Sequence, residues 1–181
     1  MKTYLTADLH FGHKNIMTFC PVTRARFKGD VDYMTEAMIK EWNEIVEPVD
    51  TVYILGDVAF MSGYNAALVM MRLNGRKILI EGNHDRKTLM DKNFRDQFAE
   101  VHQYFTTTYN GNFITMFHYP VAEWDRMHRG ALHFHGHLHG GTSGLEEFRA
   151  LDVGMDATGF IVIEMEDAIA RAIKGKIKGH H

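Results

Sequence analysis

The hydrophobic pattern of the chain alternates between short apolar runs and longer stretches with helical spacing. The runs at residues 2–7, 50–55 and 77–81 are rich in β-branched and aliphatic residues and predict buried strands. Between them, apolar residues recur at helical spacing from residue 30 or 32 to about 47, and from 64 to 73. Strands that alternate with helices through short connections predict a parallel or mostly parallel sheet with helices on its faces.

The second half of the chain shows shorter elements. A helical or irregular stretch is expected around residues 86–98. The pattern then predicts strands at residues 100–107, 112–117, 149–153 and 159–163, and a final helix at residues 165–173. No internal repeat or Pro-rich linker interrupts the chain, so residues 1–179 are expected to form a single domain. His180 and His181 resemble the start of a purification tag and are left out of the argument.

Composition and charge narrow the classes of function. The formal net charge of -3 gives no overall basic field, so long duplex nucleic acid is not expected as a substrate. The apolar runs are too short for a membrane span and the first residues show no signal-peptide pattern, which favours a cytoplasmic location away from membranes. The single cysteine, Cys20, excludes an internal disulfide. The oligomeric state stays open.

Polar groups with metal-binding atoms directly follow each of the three predicted strands. Asp8 and His10 follow the first, Asp57 follows the second, and Asn83 and His84 follow the third. In open α/β sheets, ligands bind at the carboxyl ends of strands, so these side chains are expected to converge. The alternative for each motif alone is a helix-capping Asp, a surface His or a turn with Asn and Asp.

Further histidines follow the later strands, His118 after residues 112–117 and the pair His137 and His139 in the segment 132–140. The whole set combines carboxylates, one amide oxygen and several imidazoles. Such a mixture of oxygen and nitrogen ligands suits divalent transition metals, whereas calcium prefers more carboxylates. One carboxylate shared by two ions would hold them about 3.5–4 Å apart, as in two-metal hydrolytic sites.

These residues carry a family resemblance. The blocks Asp-x-His, Gly-Asp, Gly-Asn-His-Asp, a lone His and Gly-His-x-His, in this order from residue 8 to residue 139, resemble the calcineurin-like metallophosphoesterase superfamily. The stretch Asp-x-His-Phe-Gly-His-x-Asn-Ile and the short length resemble a small bacterial and phage subgroup of phosphoesterases. The resemblance implies an α/β fold in which a two-sheet β-sandwich is flanked by helices, giving four layers in the order α/β/β/α.

The resemblance also implies seven metal ligands. One ion is held by Asp8, His10 and His139, the other by Asn83, His118 and His137, and Asp57 bridges the two. The implied cofactors are two divalent transition metal ions (Mn, Fe, Ni or Zn), with Mn favoured for assays in vitro.

The resemblance further implies hydrolysis of a phosphate ester by in-line attack of a hydroxide shared by both ions. His84 faces the scissile phosphate without binding metal, and Asp85 fixes its orientation by a hydrogen bond. The additional histidine can protonate an alkoxide leaving group, which favours phosphodiesters over monoesters. The alternative function is a binding module that uses the same fold as a scaffold with idle or absent metals.

Three residues outside the motif blocks are candidates for binding the substrate, a small phosphate ester or a nucleotide. His13 lies three positions after His10 and could reach the phosphate, or could be an exposed or helix-capping histidine. Arg24 and Arg26 belong to a basic cluster, and arginine suits phosphate binding, although such clusters usually form solvated faces.

Four other residues have an open role. His133 and His135 alternate in phase with His137 and are expected to be packed or to support the metal ligands. Tyr119 and Trp124 follow His118 closely, and either could stack on a base or pack in the interior.

Overall fold

The computed structural model describes residues 1–179, whose strands form two sheets. The strands are β1 (Thr3–Thr6), β2 (Thr51–Ile54), β3 (Arg76–Ile80), β4 (Glu100–His102), β5 (Tyr104–Tyr109), β6 (Asn112–Phe117), β7 (Leu132–His135), β8 (Ala150–Asp152) and β9 (Ile163–Glu164). The first sheet has the order β4-β3-β2-β1-β9 and the second β5-β6-β7-β8. In the first sheet, β1 to β4 are parallel and only β9 runs antiparallel, which confirms the mostly parallel sheet.

The helices are mostly short. They are α1 (Ile16–Phe19), α2 (Pro21–Arg24), α3 (Val31–Ile45), α4 (Gly63–Met70), α5 (Asp85–Thr88), α6 (Lys92–Arg95), α7 (Met155–Thr158) and α8 (Met165–Ala172), with 3-10 turns at Ala25–Phe27 and Met127–Arg129. Helix α3 begins after Asp30, whose carboxylate accepts hydrogen bonds from the first-turn N–H groups of Asp32 and Tyr33. Within residues 1–179, no helix is long and apolar enough to cross a lipid bilayer.

The first sheet is covered on both faces. Successive side chains of a strand point to opposite faces, so Tyr4 packs with the core beside α3, whereas Leu5 packs towards the second sheet. On the helix side the core includes Trp42, and between the sheets it includes Phe134 of β7. The predicted α/β architecture of two sheets flanked by helices is therefore confirmed.

Two predicted strands are wrong. Of the strand expected at residues 159–163, only Ile163 lies in a strand, β9, and Gly159 ends α7 in the left-handed conformation. Residues 100–107 were expected to form one strand, but the chain leaves the first sheet after β4 and enters the second sheet as β5, with Gln103 between them. No Gly, Pro, Asn or Asp interrupts residues 100–107, so the local composition contains no turn signal at the crossing. The stretch 86–98 forms two single helical turns, α5 and α6, separated by a short connection that Asp91 ends as the cap of α6.

The topology brings the polar loops together. Strands β1, β2 and β3 are parallel, so the loops after them leave the same edge of the first sheet. Strands β6 and β7 of the second sheet are also parallel to each other, and their following loops carry the later histidines. Five loops from two sheets therefore surround one region.

Candidate metal centre

The loops after β1 and β2 are joined by their backbones. The N–H of Asp8 donates to the carbonyl oxygen of Gly56 at 3.0 Å, and the N–H of His10 donates to that of Asp57 at 3.0 Å. The third loop packs against the second because Gly82 lies too close to Gly56 for any side chain: a Cβ on Gly82 would come within 3.0 Å of the Gly56 Cα. The loops after β1, β2 and β3 thus pack closely against one another.

Two groups of potential metal ligands lie at these loops. Asp8, His10 and His139 form one, Asp57, His118 and His137 form the other, and within each group the ligand atoms lie within 4.8 Å of one another. Asp57 Oδ2 lies 3.7 Å from His10 Nε2 and 3.6 Å from His118 Nε2. Two ligands of one ion, each about 2.0–2.2 Å from it, are at most about 4.4 Å apart. Asp57 can therefore contact an ion in each group.

The first group contains buried polar atoms that protein atoms leave unsatisfied. Asp8 Oδ2 accepts a hydrogen bond from the His137 N–H at 2.9 Å, but Asp8 Oδ1 and both ring nitrogens of His10 have no hydrogen-bond partner within the described part of the chain. Burial, followed by the nearby carboxylates of Asp152 and Asp57, raises the pKa of Asp8 well above its usual range. Unsatisfied buried groups are costly, and a divalent cation would satisfy Asp8 Oδ1 and one ring nitrogen of His10.

The neutral form of His10 fits the same function. Burial, followed by the nearby His139 and Arg24, lowers the pKa of His10 to about 2. Only an unprotonated ring nitrogen can bind a metal ion.

Asn83 faces His118 of the second group, and each presents an acceptor atom to the other. His118 Nδ1 lies 2.7 Å from the Leu55 carbonyl oxygen, so Nδ1 carries the proton and Nε2 has a free lone pair. This Nε2 lies 3.1 Å from Asn83 Oδ1, also an acceptor. A cation that contacts both atoms resolves the repulsion between them, so the residues present fit a second metal ion.

His139 is oriented from behind by a residue that the sequence analysis did not select. Its Nδ1 donates to Asp156 Oδ2 at 2.8 Å, which leaves Nε2 for the centre. Burial by itself would raise the pKa of Asp156, but hydrogen bonds from His139 and Arg24 outweigh it and hold this pKa well below its usual range. A carboxylate behind a metal-binding histidine is a common support in metal sites.

The backbone of the centre is unusual. Five candidate ligands have positive φ angles, in the left-handed region that non-glycine residues seldom adopt. They are Asp8 (57°), His10 (51°), Asp57 (55°), His137 (74°) and His139 (51°). Such conformations cost free energy and concentrate at functional sites, where the surrounding structure imposes them.

Comparison with known proteins identifies the family. The sequence model of the calcineurin-like phosphoesterases matches residues 1–152. The chain belongs to the calcineurin-like phosphoesterase family. Membership implies the use of divalent metal ions in hydrolysing phosphoric esters, and the two ligand groups agree with it.

Relatives of this phosphoesterase occur in archaea, bacteria and phages. It is 28% identical over 185 residues to Uncharacterized protein MJ1445 of Methanocaldococcus jannaschii, which covers 97% of this chain and 94% of that protein. It is 36% identical over 86 residues to the Gene 66 protein of Mycobacterium phage L5, and this match covers 46% of this chain and 39% of the phage protein. The crystal structure of AQ665 from Aquifex aeolicus, of unknown function, matches with a TM-score of 0.72 and 25% identity, covering 92% of this chain and 96% of that chain.

His84 lies at the open side of the two ligand groups. Its Nε2 is 3.9 Å from Asp57 Oδ2, its ring is 5.7 Å from the ring of His10, and 43% of its side chain is exposed. The backbone N–H of His84 donates to Asp57 Oδ1 at 3.0 Å, which fixes the start of its loop. The imidazole is therefore close to the ligand groups and accessible to a substrate.

The predicted hydrogen bond that orients His84 through Asp85 is wrong. Both Asp85 oxygens accept hydrogen bonds from backbone N–H groups instead: Oδ1 from Val58 at 2.9 Å, and Oδ2 from Asp57 at 2.8 Å and Gly82 at 2.9 Å. A buried carboxylate with three backbone donors holds two strand-end loops together. Asp85 thus supports the loop that carries Asp57 and not the imidazole of His84.

The predictions of substrate contact at Arg24 and Arg26 are corrected. Arg24 is fully buried, pairs with Asp156 at 2.7 Å, and donates to the carbonyl oxygens of Asp8 at 2.6 Å and Leu9 at 3.0 Å. It therefore fixes the loop after β1 from beneath. Both terminal nitrogens of Arg26 bind Glu41 on α3, so its charge is already paired.

The two arginines offer a matched test of stability. We expect Arg24→Met to lower the free energy of unfolding by about 3–5 kcal/mol, because Asp156 is left as an unpaired buried charge. Arg26→Met removes an exposed ion pair and should cost less than about 1 kcal/mol. Urea denaturation of both variants and the parent measures the difference, and equal losses would contradict the structural role of Arg24.

Of the remaining candidate residues, His13 and Tyr119 lie at the ligand groups, whereas Trp124 lies in the protein interior. His13 lies beside the first ligand group, with its ring 5.3 Å from the His10 ring and 4.3 Å from the Phe60 ring. Tyr119 lies at the second group, 4.6 Å from the His137 ring. Trp124 is buried and donates from Nε1 to the Ala131 carbonyl oxygen at 2.9 Å, so it packs.

His133 and His135 are buried on β7, as one of the two predicted alternatives stated. Burial, followed by the charge of His135, lowers the pKa of His133 to about 3. Its Nε2 accepts a hydrogen bond from the Val121 N–H at 3.3 Å, and its ring lies 5.2 Å from the Trp124 ring. The folded protein therefore holds His133 in the neutral form.

Because His133 is neutral in the folded protein, we expect the free energy of unfolding to fall in acid. The unfolded chain protonates His133 near its ordinary pKa of about 6.5, whereas the folded chain does not, so stability should fall as the pH drops below that value. The contribution of His133 to the free energy of unfolding falls by up to about 1.4 kcal/mol for each pH unit below that value. His133→Gln should reduce the slope of unfolding free energy against pH between about pH 6 and pH 4, while the surface variant His102→Gln should leave the slope of the parent unchanged. An unchanged slope in His133→Gln would contradict this origin.

Proposed function

We propose that the protein is a phosphoesterase that uses two divalent transition metal ions and cleaves phosphodiesters in preference to monoesters. The observation that carries this proposal is the position of Asp57 Oδ2, 3.7 Å from His10 Nε2 and 3.6 Å from His118 Nε2. One carboxylate within reach of both ligand groups is the arrangement that a pair of neighbouring ions requires.

The ligand atoms decide which ions suit the centre. Asp8, His10, Asp57 and His139 would hold one ion, and Asp57, Asn83, His118 and His137 the other. This mixture of imidazole and oxygen ligands favours Mn, Fe, Ni or Zn, with Mn the ion for assays in vitro. When bound, such ions neutralise charge on the phosphoryl oxygens and lower the pKa of bound water so that it can attack at neutral pH.

The chain itself orients these groups and supplies a proton. The carbonyl oxygen of Leu55 and the carboxylate of Asp156 hold His118 and His139 so that their Nε2 lone pairs face the centre. His84, exposed beside Asp57, can donate a proton from Nε2 to the leaving oxygen. The ester P–O bond breaks with its electron pair on that oxygen, and water supplies both the new oxygen on phosphorus and the proton that restores His84.

The preference for diesters follows from this proton. An alkoxide is a poor leaving group unless it is protonated as it departs, and a positioned acid accelerates that step by about 10²–10⁴-fold. His13, close to His10, is proposed to contact the phosphate or the leaving group from the first ligand group.

An assay with paired substrates tests the proposal. The purified protein is incubated with added manganese and either bis(p-nitrophenyl) phosphate or p-nitrophenyl phosphate, and nitrophenolate release is followed. We expect hydrolysis of the nitrophenyl esters that depends on the metal. The diester preference is measured on alkyl esters instead, because nitrophenolate departs without protonation: glycerophosphocholine should be cleaved faster than glycerol 3-phosphate. Full metal occupancy without hydrolysis of any ester would contradict the proposal and support an idle scaffold, and faster cleavage of the alkyl monoester would contradict the preference alone.

A further inference from the structure

An open pocket of about 530 Å³ borders the candidate centre on the side of His84. Phe60, Met61 and Lys87 line it together with His84 itself. Its volume lies within the range of about 300–1,000 Å³ that is usual for small-molecule sites. Because His84 lines the pocket and also lies 3.9 Å from Asp57 Oδ2, a group bound there is adjacent to the ligand groups.

Phe60 forms a fixed aromatic surface in this pocket. Its backbone N–H donates to the Phe11 carbonyl oxygen at 2.8 Å, which joins it to the loop after β1. Its ring stacks on His13, with centroids 4.3 Å apart and planes inclined by 24°, and meets the His84 ring at 5.4 Å and 67°. Nevertheless, half of Phe60 is exposed. A half-exposed ring that packs against two site histidines is suited to stacking with a planar ligand.

We propose that this pocket binds a leaving group that carries a planar aromatic ring, such as a nucleoside with its base, and that this ring stacks on Phe60. The inference rests on the proposed function, in which His84 protonates the leaving oxygen. The group attached to that oxygen must then lie on the His84 side of the scissile bond, where the pocket opens. Phe60 is thus a specificity-determining residue.

The experiment compares two ligands that differ only in the presence of a base. AMP and ribose 5-phosphate are titrated into manganese-loaded protein by calorimetry, and the release of inorganic phosphate from each is measured in parallel. We expect AMP to bind about 3–10-fold more tightly than ribose 5-phosphate, because only AMP carries a ring that can stack. Phe60→Leu should abolish this ratio by weakening AMP binding alone.

Phe160→Leu is the matched control, because Phe160 is 54% exposed and is absent from the lining of the pocket. Its AMP to ribose 5-phosphate ratio should equal that of the parent. Equal affinity for both ligands in the parent, no binding of either, or a ratio that survives in Phe60→Leu would each overturn the inference.

The design separates this inference from the proposed function. If the parent hydrolyses bis(p-nitrophenyl) phosphate but does not distinguish AMP from ribose 5-phosphate, the aromatic pocket is wrong and the phosphoesterase activity stands. If AMP binding depends on Phe60 but no phosphate ester is hydrolysed under any metal condition, the pocket stands and the proposed function fails.

Discussion

Asp57→Asn protein is expected to retain neither metal ion after purification and to lose roughly 10³-fold or more in kcat/KM, well beyond the 10–100-fold that loss of an outer partner of a metal ligand typically costs. Asp57 Oδ2 lies within 4 Å of imidazole nitrogens from both ligand groups, so in the proposed centre its charge would serve both ions at once. Asparagine preserves the shape and can still accept the hydrogen bond from the His84 N–H. Elemental analysis of the purified protein measures the metal content.

Asp96→Asn provides the matched control. Asp96 lies on the surface after α6, where it pairs with Lys92, and its removal should change neither metal content nor turnover. Circular dichroism of both variants checks that the fold is retained. Retention of one full equivalent of metal by Asp57→Asn would show that the carboxylate serves a single ion, which contradicts the bridging role.

His84→Ala is expected to keep its metal content and to lose about 10²–10⁴-fold in kcat. The side chain is 43% exposed at the open side of the centre, and the backbone N–H that binds Asp57 is unaffected by the substitution. If His84 donates a proton, the loss should be larger for an alkyl leaving group than for nitrophenolate, which departs without protonation.

The control for His84 is His102→Ala. His102 pairs with Glu100 on the first sheet and is expected to contribute nothing to turnover. Equal activity of His84→Ala and the parent at matched metal content would remove the proposed role. An equal loss with both leaving groups would leave His84 in contact with the phosphoryl oxygens and exclude it as the proton donor.

The convergence of the strand-end residues could be predicted because it depends on one general property of parallel sheets. Asp8, Asp57 and Asn83 each follow a parallel strand, so knowledge of the strands is enough to place them at one edge. His118, His137 and His139 also follow predicted strands, but only the family resemblance divides them between two ions, because these strands belong to the second sheet. The crossing at Gln103 that creates this sheet has no local signal.

The roles of Arg24 and Asp85 could not be predicted because their partners are distant or ambiguous in sequence. Arg24 binds Asp156, 132 residues away, and no periodic pattern connects the two. Asp85 lies next to a histidine in sequence, yet its carboxylate turns towards the N–H groups of Asp57 and Val58. In both cases, long-range hydrogen bonds decide what an apparently catalytic charge does.

The contact between His139 and Asp156 also bears on where a recombinant fragment can end. The family match stops at residue 152, whereas Asp156 belongs to α7. After it, β9 completes the first sheet and α8 contributes to the core beside that sheet. A protein truncated at the match boundary would keep every proposed ligand but lose the carboxylate that orients one of them and neutralises Arg24. Inactivity of such a fragment would therefore say nothing about the chemistry of the intact chain.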